Sequence, residues 1–323
     1  MKIAHENMQI LEIQPNQTRQ YIDAESAFLE WLRCRAQAGE IRGSMFWRVV
    51  NGTQYLIRES AGGGQKSLGV RSDETENILS RFKARKEEVS KRLAALGEAT
   101  QTHQRMNKAL RVGRVPGIVV KTINALYEAG LQDHFLTIGT HALYAYEAAC
   151  GVRFLPDALA TQDIDLLFDS RKRMSFISKM KRLDSSFIGA LRKADPTFRV
   201  MADQKQTAIN DAGFEVDVIR RVATGDDPHP FRMSEDEDDL WAVQIDGGNK
   251  ILGARRFSQM VVSETGHMAL MHTMDPLSFV SLKERLSLSP TRDPKKRPKD
   301  ALQAKLVAHL VDAYMPQYVP AKL

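Results

Sequence analysis

The stretch ATQDIDLLFD (residues 160–169) places two carboxylates at the start of an apolar run. Asp163 and Asp165 flank Ile164, and three large apolar residues follow. In a strand, residues two apart point to the same face, so the carboxylates project together while Ile164 enters the core. Like charges repel, and both groups resist burial. Mg²⁺ or Mn²⁺ resolves that conflict, and two such ions about 4 Å apart can hold the attacking and leaving oxygens of a phosphoryl displacement.

A third carboxylate lies further along the chain. In FEVDVI (residues 214–219) the apolar side chains share one face of a predicted strand, which leaves Glu215 and Asp217 on the other. An acid between valines is costly for a purely structural task. Asp217 therefore joins the metal site, or it forms an ion pair with Arg220 or Arg221 at the strand end.

The segment FLTIGTHALYAYE (residues 135–147) predicts a strand that runs into Gly139-Thr140 and then a helix. Glycine lets the backbone approach a phosphate closely. Thr140 can cap the helix, whose first amides favour an anion. An ordinary strand-to-helix turn has the same pattern, and the neighbouring His141 is interpreted as a structural residue.

These motifs together resemble the nucleotidyltransferase superfamily with a DNA polymerase β-like fold. Its signature is a strand, Gly-Ser or a close variant, a helix, a strand with Asp-x-Asp and a third acid on a later strand. Gly139-Thr140, Asp163-Ile164-Asp165 and Asp217 match it. Thr replaces the commoner Ser, and the gap before the acids is longer. The sequence around these motifs looks closest to bacterial stand-alone enzymes related to the AbiEii and MenT toxin group. The resemblance covers roughly residues 115–310.

The resemblance implies two further site residues and a role for each member of the site. In the relatives, a helix after the core carries a Lys and a later basic segment ends in an Asp; Lys283 and Asp300 fit those places. Lys283 would neutralise the triphosphate, and Asp300 would position Lys283 or the acceptor. The resemblance also implies that Asp163 and Asp165 bind Mg²⁺ at the triphosphate. Asp217 would bind a second ion and help to activate the acceptor, and Gly139 and Thr140 would bind the β- and γ-phosphates.

The predicted fold class is α+β, with a mixed-sheet nucleotidyltransferase core flanked by helices. Residues 1–112 form an N-terminal helix–hairpin–helix arm, 113–225 the catalytic core, and 226–323 a C-terminal hairpin and helical part. The predicted elements are a helix over 16–38, a hairpin turning at Asn51-Gly52, a helix from about Ser72 to Leu110, a strand over 135–138, a helix from Thr140 to Gly151, hairpins turning at 211–213 and near Thr265-Gly266, a helix opened by Asp275-Pro276, and a last helix after RDPKKRPKD.

The glycine-rich stretch AGGGQKSLG (residues 61–69) predicts a flexible loop. It is not interpreted as a phosphate-binding loop, because that pattern needs Gly immediately before the Lys, and Gln65 stands there. Cys34 and Cys150 lie far apart without metal-ligand spacing, which predicts no disulfide. The polar start and the lack of a long apolar run predict a soluble, cytoplasmic protein without a membrane partner.

The distribution of basic residues indicates which kind of acceptor the protein would bind. The formal balance is +6, residues 81–121 carry eleven Lys/Arg against three Glu, and residues 171–199 carry nine Lys/Arg against two Asp. Such clusters are solvated helix faces or surfaces for phosphates. The reaction that the resemblance implies moves a nucleoside monophosphate from an NTP to a hydroxyl, and the charge puts RNA or tRNA slightly ahead as acceptor. The resemblance to the AbiEii and MenT group also implies a toxin or defence effector, and it leaves open whether an antitoxin partner accompanies it.

Two other functions stay open at this point. One is a protein-modifying nucleotidyltransferase, for example an AMPylating enzyme, which would bind its acceptor through apolar contacts near Phe46 and Trp47. The other is a non-catalytic nucleic-acid-binding protein on the same fold, for which the basic clusters would serve equally well.

Overall fold

The computed structural model describes residues 10–183, 185–225 and 227–318. Contacts divide the chain into two units: Arg19–Leu110 is one, and the other comprises the residues up to Thr18 and from Arg111 onwards. The three-part division with boundaries at 112/113 and 225/226 stays a prediction. Within the described ranges, no helix combines the length and apolar character needed to cross a membrane.

In the first part of the described chain, two long helices stand on either side of three short strands in sequence. The elements there are strand β1 (Ile10–Glu12), helix α1 (Pro15–Glu40), strands β2 (Ser44–Val50), β3 (Thr53–Glu59) and β4 (Gln65–Val70), and helix α2 (Asp73–Ala109). Strands β2, β3 and β4 form an antiparallel sheet in that order. Asn51 and Gly52 have φ of 49° and 78°, which confirms the predicted hairpin turn.

The predicted flexible loop at 61–69 is wrong in its second half. Gln65–Val70 pair with β3 as a third strand, and the glycines before them form the turn, with Gly63 at φ +80°. Lys66 and Ser67 therefore lie in a strand, which also excludes a phosphate-binding loop. The arm is a helix, a three-stranded sheet and a helix, rather than a helix, a hairpin and a helix. Helix α2 begins as predicted, with Ser72 and Thr75 in a capping box.

The larger unit carries the remaining elements. They are α3 (Gly117–Glu128), β5 (Phe135–Ile138), α4 (Ala142–Cys150), β6 (Val152–Phe154), α5 (Pro156–Leu159), β7 (Asp163–Phe168), α6 (Arg173–Leu183), α7 (Phe187–Leu191), β8 (Arg199–Val200), β9 (Thr207–Ile209), β10 (Glu215–Arg221), β11 (Phe231–Arg232), β12 (Trp241–Ile245), α8 (Gly248–Gly253), β13 (Phe257–Val262), β14 (Met268–Thr273), α9 (Pro276–Leu288) and α10 (Arg297–Tyr314). Short 3-10 turns occupy Gln132–His134, Gly139–His141, Ser170–Lys172 and Pro316–Tyr318.

A nine-stranded mixed sheet forms the centre of this unit, in the order β11-β12-β10-β7-β5-β14-β13, with β9 beside β10 and β8 beside β9. Strand β7 runs parallel to β10 and antiparallel to β5. The C-terminal hairpin β13–β14 belongs to the same sheet through β14 and β5. The α+β prediction with a mixed-sheet core is confirmed. Both cysteines are free, as predicted.

Local signals placed most element ends correctly. The two hairpins of the larger unit turn at Gly213 and Gly266, with φ of 77° and 85°. Asp275 caps α9 by accepting hydrogen bonds from the amides of Leu277 and Ser278. The predicted start of the last helix after Asp300 is wrong: α10 begins at Arg297, because proline is tolerated in the first helical turn, and Asp300 therefore lies in that turn.

Candidate active site

Asp163 and Asp165 begin the central strand β7. Both side chains are partly exposed while Ile164 between them is completely buried, which is the alternation that the sequence predicts. From Leu166 onwards the strand is buried. The carboxylates therefore lie at the end of the strand where the sheet meets solvent, and the apolar run behind them anchors that end in the core.

Strand β10 brings the third acid to the same place. Parallel pairing sets Asp217 directly beside Asp165, and carboxylate oxygens of Asp163, Asp165 and Asp217 lie within 4.8 Å of one another. The alternative of an ion pair between Asp217 and a strand-end arginine is wrong. Arg221 pairs with Asp227 at 2.6 Å, and the Arg220 guanidinium donates to the carbonyl of Pro228 at 2.8 Å.

The three acids resist ionising together. Burial, followed by the charges of Asp163 and Asp217, raises the pKa of Asp165 to about 7. Burial also raises the pKa of Asp217, against a hydrogen bond from Thr207. A cluster of hard carboxylate oxygens at this spacing suits a divalent cation such as Mg²⁺, which would remove the repulsion. The residues present therefore fit the implied metal.

Two threonine hydroxyls orient the acids. Thr207 Oγ1 donates to Asp217 Oδ1 at 2.5 Å, from the residue that pairs with Asp217 across the antiparallel strands β9 and β10. Thr161 Oγ1 donates to Asp163 Oδ1 in a short hydrogen bond. Each bond occupies one oxygen and leaves the second available to a cation. Neither hydroxyl is among the residues predicted from the sequence, and Thr207 reaches Asp217 only through strand pairing.

The turn at Gly139 lies against the acids. Ile138 pairs with Asp165 across β5 and β7, and Gly139 follows with φ +67°. A Cβ on Gly139 would collide with Oδ2 of Asp165 and lie 3.2 Å from its Cγ. Glycine is therefore required twice at this position, for its backbone conformation and for the space it leaves.

Thr140 does not cap the helix, so that prediction is wrong. The helix start has no side-chain cap bond, and Thr140 Oγ1 instead accepts a hydrogen bond from Gln303 Nε2 at 3.2 Å. Gln303 is buried on α10 and also donates to the carbonyl of Ala158 at 2.7 Å. The contact links the turn at Gly139-Thr140 to the C-terminal helix, and no local sequence pattern predicts it because the two residues lie 163 positions apart.

Lys283 and Asp300 lie together. The Lys283 ammonium donates to Asp300 Oδ1 at 2.8 Å, with both side chains buried, and Arg292 Nε donates to Oδ2 at 2.8 Å. This contact is the one that positioning of Lys283 by Asp300 requires, and the role of Asp300 stays a prediction. Lys283 lowers the pKa of Asp165, so its charge is felt at the acids.

Other residues of the site had no separate assignment in the sequence. Lys296 and Lys299 lie in the basic segment before Asp300; the charge of Lys296 lowers the pKa of both Asp165 and Asp217, and Lys299 donates to the carbonyl of Ala160 at 2.5 Å. His141 is buried, and burial lowers its pKa to about 4, so the ring is neutral at neutral pH.

Comparison with known proteins agrees with this arrangement. A protein family described as Nucleotidyltransferase matches residues 118–321, which include every residue of the site described above. No curated protein and no solved structure gives a significant match. The match covers well over half of the 323 residues and leaves the arm outside it. This chain belongs to the nucleotidyltransferase family and is a transferase enzyme.

Proposed function

We propose that the enzyme transfers a nucleoside monophosphate from an NTP to a hydroxyl of RNA, with pyrophosphate as the second product and Mg²⁺ or Mn²⁺ as cofactor. One observation carries this proposal: the three carboxylates of β7 and β10 converge within 4.8 Å beside a glycine turn that has no room for a side chain. A structural role would not require three repelling acids at a solvent-facing strand end.

Each acid has its own part in the proposed reaction. Asp163 and Asp165 would hold the cation that meets the triphosphate, and Asp217 would hold a second one near the acceptor hydroxyl. When bound, such cations neutralise phosphate charge and make the acceptor hydroxyl easier to deprotonate. Thr161 and Thr207 keep the carboxylates of Asp163 and Asp217 turned towards the site through the hydrogen bonds described above.

The phosphates would lie between the turn and α9. Gly139 and Thr140 present backbone amides to the β- and γ-phosphates. Lys283 adds a point charge, and its buried pairing with Asp300 holds the ammonium in position. Asp300 is thus a positioning residue in this proposal, and Gln303 supports Thr140 in the same way.

Unpaired cations favour an RNA acceptor over a protein. Of the eleven Lys/Arg in 81–121, only three form ion pairs among the described residues, and Arg81, Lys83 and Arg85 are all exposed on α2. The cluster at 171–199 supports RNA less, because five of its nine cations already pair with acids. Counterion release from phosphates would make binding salt-dependent.

Kinship with the AbiEii and MenT toxin group belongs to the same proposal. It is based on the sequence around Gly139-Thr140 and Asp163-Ile164-Asp165. With this kinship we also propose a toxin or defence role and an antitoxin partner. Co-expression with a neighbouring gene product that relieves growth arrest would test it. Growth unaffected by the expressed enzyme would contradict it.

The reaction is tested by offering both acceptors at once. Purified enzyme is incubated with each α-³²P-labelled NTP, total RNA and cell-lysate protein, in Mg²⁺, Mn²⁺ or EDTA, and the products are separated by nuclease and protease digestion. We expect nuclease-sensitive label that requires metal and is absent with Asp165→Asn. Protease-sensitive label would instead favour the protein-modifying alternative, and label from Asp165→Asn at the wild-type rate would contradict the metal site.

A further inference from the structure

A groove beside α9 has the composition of a phosphate site. It encloses about 380 Å³ between α8 and α9, and we call it the α8–α9 groove. Its polar lining consists of the cations of Lys250 and Arg285 and the hydroxyls of Ser278 and Ser281, over apolar side chains that include Ile251. No carboxylate lines it.

The two cations of the groove have no acidic partner. Within the described ranges, neither Lys250 nor Arg285 forms an ion pair, in contrast to most of the cations at 171–199. Both are exposed. A pair of unneutralised cations beside two hydroxyl donors and no acid attracts an anion with several oxygens.

The Arg285 guanidinium lies against the turn before α8. Gly247 has φ +81°, and a Cβ there would lie 2.5 Å from Nη2 and 3.3 Å from Nη1 of Arg285. The guanidinium therefore lies against the backbone of Gly247, at the edge of the groove. A guanidinium binds phosphate through two parallel hydrogen bonds.

The spacing along α9 suits an extended ligand. Ser278, Ser281 and Arg285 recur at intervals of three and four residues, so they form one row along the helix over about 10 Å. Lys283 lies on another face of the same helix and pairs with Asp300. A ligand in the groove would thus lie beside the helix that supplies the triphosphate lysine without competing for it.

We propose that the α8–α9 groove binds phosphodiester groups of the acceptor RNA. This rests on the proposed function, since it assumes that the acceptor is RNA. The volume falls in the range of a site for one nucleotide-sized group rather than a bare ion. Arg285 and Lys250 contact phosphate oxygens, Ser278 and Ser281 add hydroxyl donors, and the apolar floor receives the sugar.

Direct binding tests the groove apart from catalysis. The affinity of a fluorescein-labelled 12-nucleotide single-stranded RNA of mixed sequence is measured by anisotropy across a KCl series. Arg285→Gln and Lys250→Gln should each weaken binding about three- to tenfold and lower the slope of log affinity against log salt by about 0.7 for each phosphate that the variant no longer binds. Lys305→Gln, which removes an exposed lysine on α10, serves as the matched control and should bind as the wild type does.

Three outcomes are decisive. If the wild-type enzyme binds RNA and the Arg285→Gln, Lys250→Gln double variant binds it with the same affinity and slope, the groove proposal is overturned while the RNA acceptor stands. If the wild-type enzyme binds no RNA, the groove proposal and the proposed RNA acceptor are both wrong. A free nucleotide as the true ligand would show as weakened binding of unlabelled NTP in equilibrium dialysis with RNA affinity unchanged, and that result would also overturn the proposal.

Discussion

Replacing Asp300 by Asn should destabilise the enzyme strongly at neutral pH. The carboxylate of Asp300 accepts from Lys283 Nζ and Arg292 Nε, each at 2.8 Å, and the side chains of Lys283 and Asp300 are only 6% and 3% exposed. The substitution keeps the shape but leaves the Lys283 ammonium buried without a counter-charge. Breaking a buried pair in this way costs about 3–5 kcal/mol. For a unit of roughly 200 residues that lowers Tm by about 6–20 °C.

The pH dependence has a definite sign. Burial alone would raise the pKa of Asp300, but hydrogen bonds from Arg292 and Lys283 outweigh it and lower that pKa. A carboxyl whose pKa is lowered on folding stabilises the fold above its unfolded pKa of about 4 and loses that contribution as pH falls through the folded value. The free energy of unfolding should therefore differ between wild type and Asp300→Asn by its full amount at pH 7, and this difference should shrink below about pH 4.

Thermal unfolding followed by circular dichroism at pH 7 measures the effect. Asp312→Asn makes the same chemical change at an exposed position of α10 and should stay within about 0.5 kcal/mol of wild type. The double variant Lys283→Gln, Asp300→Asn should recover part of the loss, because it leaves no unpaired buried charge. An Asp300→Asn variant that melts within 1 °C of wild type, roughly the scatter for a neutral surface change, would refute the buried-pair reasoning.

Three further outcomes are expected. Asp165→Asn should raise Tm in EDTA, because it removes a repelling buried charge, and should abolish the rise in Tm that Mg²⁺ gives the wild type; an unchanged Mg²⁺ response would contradict the site. Thr207→Val should raise the Mg²⁺ concentration for half-maximal activity about tenfold, as loss of an outer hydrogen bond to a metal ligand does, whereas Thr207→Ser should restore it. Burial lowers the pKa of His272 to about 4, so stability should fall between pH 6.5 and 4, and His272→Gln should flatten that fall in acid unfolding curves.

The sequence predicts those features of the fold that depend on neighbouring residues alone. Alternation along DIDLLF placed Asp163 and Asp165 on one face, and Asn51-Gly52 fixed a hairpin, because both depend on neighbouring residues alone. The meeting of Asp217 with Asp165 depends on the register of two strands more than fifty residues apart, which no local pattern encodes. The family resemblance supplied that contact.

The failures share a physical cause. The sequence predicts a loop over residues 61–69, because the glycines at 62–64 mask the strand Gln65–Val70, which forms only against β3. Thr140 was predicted as a helix cap, but Gln303 from 163 residues away engages its hydroxyl. Charge counting gave equal weight to 171–199 and 81–121, although the first cluster is largely paired in the fold. Each error arose where tertiary contacts override a local preference.

The environment of the three acids supports the proposed cation site. Within the described ranges none of the three carboxylates forms an ion pair; the charges of Lys283 and Lys296 lower the pKa of Asp165 without contact, and Lys283 is paired with Asp300. Thr161 and Thr207 orient two of the carboxylates without neutralising them. If the strands needed only hydrogen-bonding polar groups at this edge, Asn would serve there without repulsion. Three converging aspartates, a pKa of Asp165 raised to about 7 and a glycine at 139 that leaves no room for a side chain beside Asp165 favour a bound cation, as the proposed function requires.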